Sequence, residues 1–259
     1  MDLHSAMTAA QPKAAPARDI VRLSEVVFSW QGTARTVAAA SPGDGTFRLQ
    51  VPSFQVEAGS KLLLTGPSGS GKTTLLNMLC GITIPQRGTV EILGTSLATL
   101  SAAARDRFRA EHIGVIFQMF NLLPYGSVLD NVILPLSFAP RRAARAASAG
   151  GVVREARRLL AALDLPERLL LAPAAQLSIG QQQRVAAARA LIGTPEIVIA
   201  DEPTSALDRV NQERFLDLLF AQVEASGTTL LMVSHDDGLA RRFSRTVQLS
   251  ELIVAEPTA

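Results

Sequence analysis

Eight consecutive residues, Gly66-Pro67-Ser68-Gly69-Ser70-Gly71-Lys72-Thr73, match the spacing G-x-x-x-x-G-K-[ST], and Thr74 follows them. Glycines at these positions let the backbone curl until several N–H groups point at one anion. A helix starting at the loop adds its positive end. Lys72 then supplies a point charge to β- and γ-phosphates, and the Thr73 hydroxyl suits Mg²⁺. A second constellation lies far downstream, where the apolar run Ile197-Val198-Ile199-Ala200 ends in Asp201 and Glu202. A carboxylate at the end of a strand can reach the Mg²⁺ shell, the role expected of Asp201. Its neighbour Glu202 is placed to polarise an attacking water. Either constellation alone has a bland reading, a glycine-rich turn or a buried strand capped by solvated acids. Together they point to a phosphate-loop nucleoside triphosphatase.

The elements that must position these residues follow from apolar periodicity. Lys61–Thr65 is a short apolar strand that runs into the glycine loop, and Leu75–Leu79 continues as a helix. Strands are expected over Ile20–Phe28, Phe47–Val56, Ile113–Phe117, Ile197–Ala200 and Thr229–Val233. Ser41–Gly45 reads as a turn. Helices are expected over Ala102–Glu111, Val152–Leu163, with Leu159, Leu160 and Leu163 on one face, and Ile179–Ile192. Strands alternating with helices give an α/β fold with a mostly parallel sheet. Residues 138–151, basic and Ala-rich, read as a loop or weak helix with Arg141, Arg142 and Arg145 in solvent. Residues 1–19, rich in Ala, Pro and Gln, read as a disordered tail. His4 and His112 read as solvated.

Bulk properties narrow the function classes. Hydrophobic residues make up 47% of the 259, enough to bury a sizeable core, as an α/β domain of this length requires. A formal net charge of +2 gives no argument for nucleic acid as a partner. One cysteine, Cys80, cannot form an internal disulfide framework. No stretch approaches the roughly 18 apolar residues of a membrane-spanning helix, and Met1–Asp19 lacks the apolar segment of a signal peptide. A soluble, cytoplasmic chain without direct membrane insertion is expected, and any membrane role must come through a partner.

Leu177-Ser178-Ile179-Gly180-Gln181-Gln182-Gln183-Arg184 lies shortly before the acidic strand and resembles the L-S-G-G-Q signature of ABC ATPases. Further motifs follow in the order of that family. Gln118 resembles the Q-loop glutamine, Ser205-Ala206-Leu207-Asp208 the D-loop, and His235 the switch histidine. Trp30 resembles the aromatic that stacks on adenine, with Phe28 as its competitor. The resemblance covers roughly residues 20–250. It implies one ABC ATPase domain over 20–255, with an antiparallel β part and a helical part at about 97–190. It implies ATP and Mg²⁺ as cofactors, with Gln118 joining Thr73 and Asp201 at the metal and with Glu202, His235 and Gln118 in catalysis. It also implies that Ser178, Gly180, Gln181 and Asp208 serve nucleotide bound mainly to a second copy of the chain, so that two ATP molecules join a head-to-tail dimer. Ile179 occupies the first glycine position of the signature, where it adds bulk and disfavours positive φ.

Phe117–Tyr125 is apolar, follows Gln118 and is awkward to bury in full, as an interface would be. In the family this region resembles the groove that receives a permease. Phe120, Leu122, Leu123 and Tyr125 are therefore the expected permease contacts. The wording here, with Val128-Leu129-Asp130-Asn131-Val132, is similar to ATPases that serve lipoprotein-releasing, macrolide-exporting and FtsX-like permeases. A transport or mechanotransmission ATPase, peripheral on the inner face of the membrane, is the reading that results. The alternative is a non-transport ABC ATPase coupled to a membrane or cell-envelope remodelling partner. A phosphate-loop kinase or GTPase would explain neither the signature nor His235, and no N-K-x-D motif is present.

Overall fold

The computed structural model describes residues 19–30 and 47–253. Residues 1–18 of the expected tail, the Ser41–Gly45 turn and His4 lie outside them, whereas Asp19, expected in the tail, is the first residue of a strand. Two sheets carry the architecture. The first is antiparallel, in the order β2-β1-β4-β5, built from β1 (Asp19–Trp30), β2 (Phe47–Glu57), β4 (Arg87–Ile92) and β5 (Thr95–Ser96). The second is parallel, in the order β6-β7-β8-β3-β9. Its strands are β3 (Lys61–Thr65), β6 (Ile113–Ile116), β7 (Ile197–Asp201), β8 (Thr229–Ser234) and β9 (Arg245–Gln248).

The parallel sheet is a wall between two apolar cores. Along β3, Leu62 and Leu64 face one core and Leu63 faces the other. In β7, Ile197 and Ile199 alternate with Val198 and Ala200, and in β8, Leu231 and Val233 alternate with Leu230 and Met232. Both faces are covered, so these strands read as unbroken apolar runs. On one side lie the antiparallel sheet and α1 (Lys72–Leu79), which contributes Leu75, Leu76, Met78 and Leu79. On the other lie α3 (Val128–Ile133), α5 (Val152–Ala162), α6 (Ile179–Leu191) and α7 (Arg209–Ser226).

Local chemistry sets the helix ends. Ser127 and Asp130 form a capping box that starts α3, and Ser178 with Gln181 forms another that starts α6, each satisfying two otherwise unpaired N–H groups. Asp208 caps α7, whose far end is closed by Gly227 at φ 65°. Asn211, through its backbone first, hydrogen-bonds the Asp208 carboxyl and holds it below the usual carboxylate range.

Two expectations fail around α2 (Ala102–His112) and α4 (Pro140–Ser148). The basic stretch takes the helical one of its two expected forms and Arg141 is exposed, but α4 places Arg142 at 2% exposure rather than in solvent. Its guanidinium donates to Ala110 O (3.1 Å), Ala190 O (2.9 Å) and Ile192 O (2.9 and 2.6 Å). It thus pairs orphan carbonyls at the ends of α2 and α6. Burial pushes the Arg142 pKa down to about 10. In return, the Glu111 carboxylate accepts from the backbone N–H groups of Arg141 and Arg142. Arg145 is half-buried, donating to Gly193 O and Glu196. His112 is not solvated either: its Nδ1 lies 3.0 Å from Glu196 Oε2 and its ring meets Phe108 at 4.5 Å.

Candidate active site

The carboxyl edge of the parallel sheet gathers the candidate residues, because β3, β7 and β8 all point their ends there. β3 ends at Thr65, and the loop that follows reaches α1 through Gly69 at φ 78° and Gly71 at φ 101°. Only glycine adopts such angles freely. Gly71 occupies the N-cap of α1 and, among the described residues, no side-chain cap bonds the first turn. Lys72 Nζ donates to Gly66 O (2.7 Å) and Pro67 O (2.9 Å) and sits 3.7 Å from Glu202 Oε1. The buried Ser70 Oγ has no hydrogen-bond partner among the described residues. A left-handed loop, bare helix N–H groups, a buried ammonium and a hydroxyl lacking a protein partner together make an anion cradle. This is the donor set that a polyphosphate requires.

β7 delivers the acids. Thr73 Oγ1 lies 3.4 Å from Asp201 Oδ2, bringing together the two oxygen donors expected for Mg²⁺. Burial first, and then the charge of Glu202, raise the Asp201 pKa, with Thr73 and Lys72 opposing. An added cation would oppose this shift by favouring the ionised carboxylate. Among the described residues no group of three or more His, Cys, Asp or Glu could hold a metal. A hydroxyl and one carboxylate fit an ion that completes its shell with phosphate oxygens. Glu202 follows at φ 43°, its N–H donating to Val233 O at 3.0 Å. The chain thus turns sharply at the strand end. His235 reaches across from the end of β8, its Nδ1 2.9 Å from Glu202 Oε2. Trp30 is 49% exposed, stands edge-on to the buried Phe28 at 4.9 Å and donates from Nε1 to Thr74 Oγ1 at 3.4 Å. Of the two aromatics, only Trp30 presents a surface beside the loop.

Comparison with known proteins decides the family. The family model described as ABC transporter matches residues 49–205. The chain belongs to the ABC transporter ATP-binding family. It is 42% identical over 212 residues to the uncharacterized ABC transporter ATP-binding protein YbbA of Escherichia coli, covering 81% of this chain and 90% of that one. It is also 42% identical over 197 residues to the lipoprotein-releasing system ATP-binding protein LolD 1 of Caulobacter vibrioides, covering 74% and 80%. Against the macrolide export ATP-binding/permease protein MacB of Rhodopirellula baltica it is 39% identical over 203 residues, 78% of this chain but only 29% of that protein. Among solved structures, the dimeric post-hydrolysis ATP-binding cassette MJ0796 bound to ADP and Pi superposes with TM-score 0.72 at 33% identity, covering 88% of this chain and 93% of that one. This ABC ATPase is therefore an ATP-binding, ATP-hydrolysing subunit of a transporter.

The predicted signature and D-loop residues of the ABC ATPase make their contacts elsewhere. Ser178 Oγ accepts from Gln181 N (3.4 Å) and Gln181 Oε1 from Ser178 N (3.0 Å). Among the described residues, no hydrogen bond or ion pair joins Ser178, Gly180 or Gln181 to the phosphate loop of the same chain. Asp208 is likewise engaged only with α7. Ile179 is the first residue of α6, outside the left-handed region, and is 55% exposed. The expected backbone conflict at this position is therefore absent.

The expected permease surface needs correction. Phe120 is not exposed: it is 7% accessible and belongs to the core, and Leu122 packs partly buried against the same core. Leu123 is also partly buried, its backbone N–H and C=O both bonded to Asn131. Tyr125 is exposed as expected. The apolar surface beside Gln118 comes instead from Phe117, Ile82 and Phe138, which line a groove of about 590 Å³, with Met119 exposed nearby. Two residues with positional roles escaped the sequence reading. Arg189 is a cation inside the Ala-rich helix α6, and Asn131 is wholly buried in α3 with four backbone partners. A charged or amide side chain within an apolar stripe is the signal that marks both.

Proposed function

We propose that two copies of this chain close head-to-tail around two ATP molecules and drive a separate permease of the exporter or mechanotransmission kind at the inner face of the membrane. Within one copy, the loop from Gly66 to Thr74 holds the phosphates, Lys72 neutralises the β- and γ-oxygens, and Trp30 stacks on the base. Thr73, Asp201 and Gln118 would hold Mg²⁺, which when bound offsets charge on the β- and γ-phosphates. Glu202 accepts a hydrogen bond from the attacking water and orients it. His235 holds the Glu202 carboxylate and stands near the γ-phosphate side. Ser178, the Gly180 N–H and Gln181 serve the other copy's nucleotide, with Asp208 beside them. Their separation from the phosphate loop of their own chain supports this reading, and the dimeric state of MJ0796 supports it further.

The observation that carries the permease reading is the groove beside Gln118, rimmed by the exposed apolar side chains Phe117, Phe138 and Ile82. Such a patch on a free surface marks an interface. The names of LolD 1 and MacB support a lipoprotein-releasing or macrolide-exporting branch. The test is co-purification from detergent-solubilised membranes with identification of the bound membrane protein. Phe138→Asp with Ile82→Asp should lose that protein while retaining ATP binding. Equal recovery with this variant would place the docking surface elsewhere.

A further inference from the structure

The segment after Gln118 is held in an unusual shape by one buried cation. Phe120 and Asn121 are consecutive non-glycine residues in the left-handed region, at φ 58° and 49°. Phe120 N–H bonds back to Phe117 O and Asn121 N–H to Met119 O, so two tight turns follow one another and Gln118 sits inside the first. These turns aim the Phe120 and Asn121 carbonyls inward. Arg189 meets both, Nη1 donating to Asn121 O at 2.7 Å and Nη2 to Phe120 O. Burial lowers the Arg189 pKa, and no carboxylate pairs with it among the described residues. Further along, Asn131 pins Leu123 and Ser127. The strap carrying Gln118 is thus fixed by side chains and is not a free loop. Arg189 and Asn121 also line the groove, and Arg189 lies on α6, the helix that Ser178 caps.

We infer that Arg189 is a positioning residue for hydrolysis, acting through the paired carbonyls of Phe120 and Asn121 to set where Gln118 stands. The inference rests on the proposed role of Gln118 at Mg²⁺. One helix then carries at its start the group offered to the other copy's nucleotide, and near its end the grip on its own chain's metal-sensing turn. Occupancy of the groove would bear on that grip directly. A bidentate guanidinium is required because the two acceptors are fixed and separate.

The test is a double-mutant cycle in the full chain, reading ATP turnover against Mg²⁺ concentration, and nucleotide affinity without Mg²⁺ from a fluorescent ATP analogue. Gln118→Ala and Arg189→Lys should each raise the Mg²⁺ needed for half-maximal turnover by about tenfold while sparing affinity without Mg²⁺. In the Gln118→Ala background, Arg189→Lys should add less than about twofold, because the two act as a unit. If Arg189→Lys does not fold, Arg189→Gln, which removes the charge but keeps an amide donor, takes its place in the cycle. Multiplying effects, or a lower melting temperature with an unchanged Mg²⁺ dependence, would overturn the inference and leave the reading of Gln118 intact. A Gln118→Ala chain with the wild-type Mg²⁺ dependence would overturn both.

Discussion

His235 Nδ1 lies 2.9 Å from Glu202 Oε2, joining the ends of two adjacent parallel strands. The contact follows from the pairing of Asp201 with Val233, which sets both side chains one step past the sheet. The other Glu202 oxygen faces Lys72 at 3.7 Å, so one carboxylate lies between Lys72 and His235. Glu202→Gln keeps the shape and removes the charge. Turnover should fall by about 10²–10⁴-fold, the usual contribution of a positioned base, with ATP affinity retained. Single-turnover hydrolysis and equilibrium binding measure the two separately, and wild-type turnover would remove Glu202 from its assigned role.

Assembly follows from the lack, among the described residues, of any hydrogen bond or ion pair between the signature residues and the phosphate loop of the same chain. The isolated chain should be monomeric without nucleotide, and Glu202→Gln with Mg-ATP should sediment as a dimer. Ser178→Arg should prevent that dimer while binding ATP normally, since its own loop is untouched. Loss of ATP binding in Ser178→Arg would instead indicate a site completed within one chain.

Arg142 gives a stability prediction. Arg142→Met preserves bulk but strips partners from the Ala110, Ala190 and Ile192 carbonyls. Leaving several buried acceptors unpaired should cost about 3–5 kcal/mol. For a chain of this size that is a drop of roughly 10 °C in melting temperature. A change within about 1 °C would show that water replaces the guanidinium at no cost.

Cys80 is buried, and burial pushes its thiol pKa from 9.0 up to about 12, with Arg109 opposing and Asp201 adding. At pH 8 the thiol should resist alkylation in the folded chain and react readily after denaturation, since the thiolate is the nucleophile. The sign for stability follows. As pH rises through 9 the unfolded chain loses this proton first, so alkali should favour unfolding. Rapid modification of the native chain would show that this region opens to solvent.

The sequence was most informative where the backbone itself carries the chemistry. Lys61–Thr65 is a strand with the expected bounds, and the glycines at 69 and 71 take the left-handed angles the loop needs. β7 and β8 also lie within a residue of expectation because strands buried on both faces are apolar throughout. β4, β5 and β9 escaped notice for the opposite reason: β9 buries only Val247 and β4 only Val90 and Ile92, too few for a period. The α7 stripe of Phe215, Leu216, Leu219, Phe220 and Val223 has helical spacing in the sequence itself. Arg142 and Phe120 were misjudged for one shared reason. Composition says how polar a segment is, whereas burial depends on which tertiary acceptors and cavities lie beside it. Backbone carbonyls from α2 and α6 make a site for a cation that its own neighbours in sequence cannot reveal.

Because alternate residues of β3, β7 and β8 belong to opposite cores, these strands cannot change length. One residue inserted between Ile197 and Val198 would reverse the face of every later β7 residue, sending Val198 and Ala200 toward the antiparallel sheet and Ile199 toward the helices. Descendants of this gene can therefore lengthen the chain between these strands far more readily than within them. The same constraint applies to anyone splicing a tag or sensor into the protein.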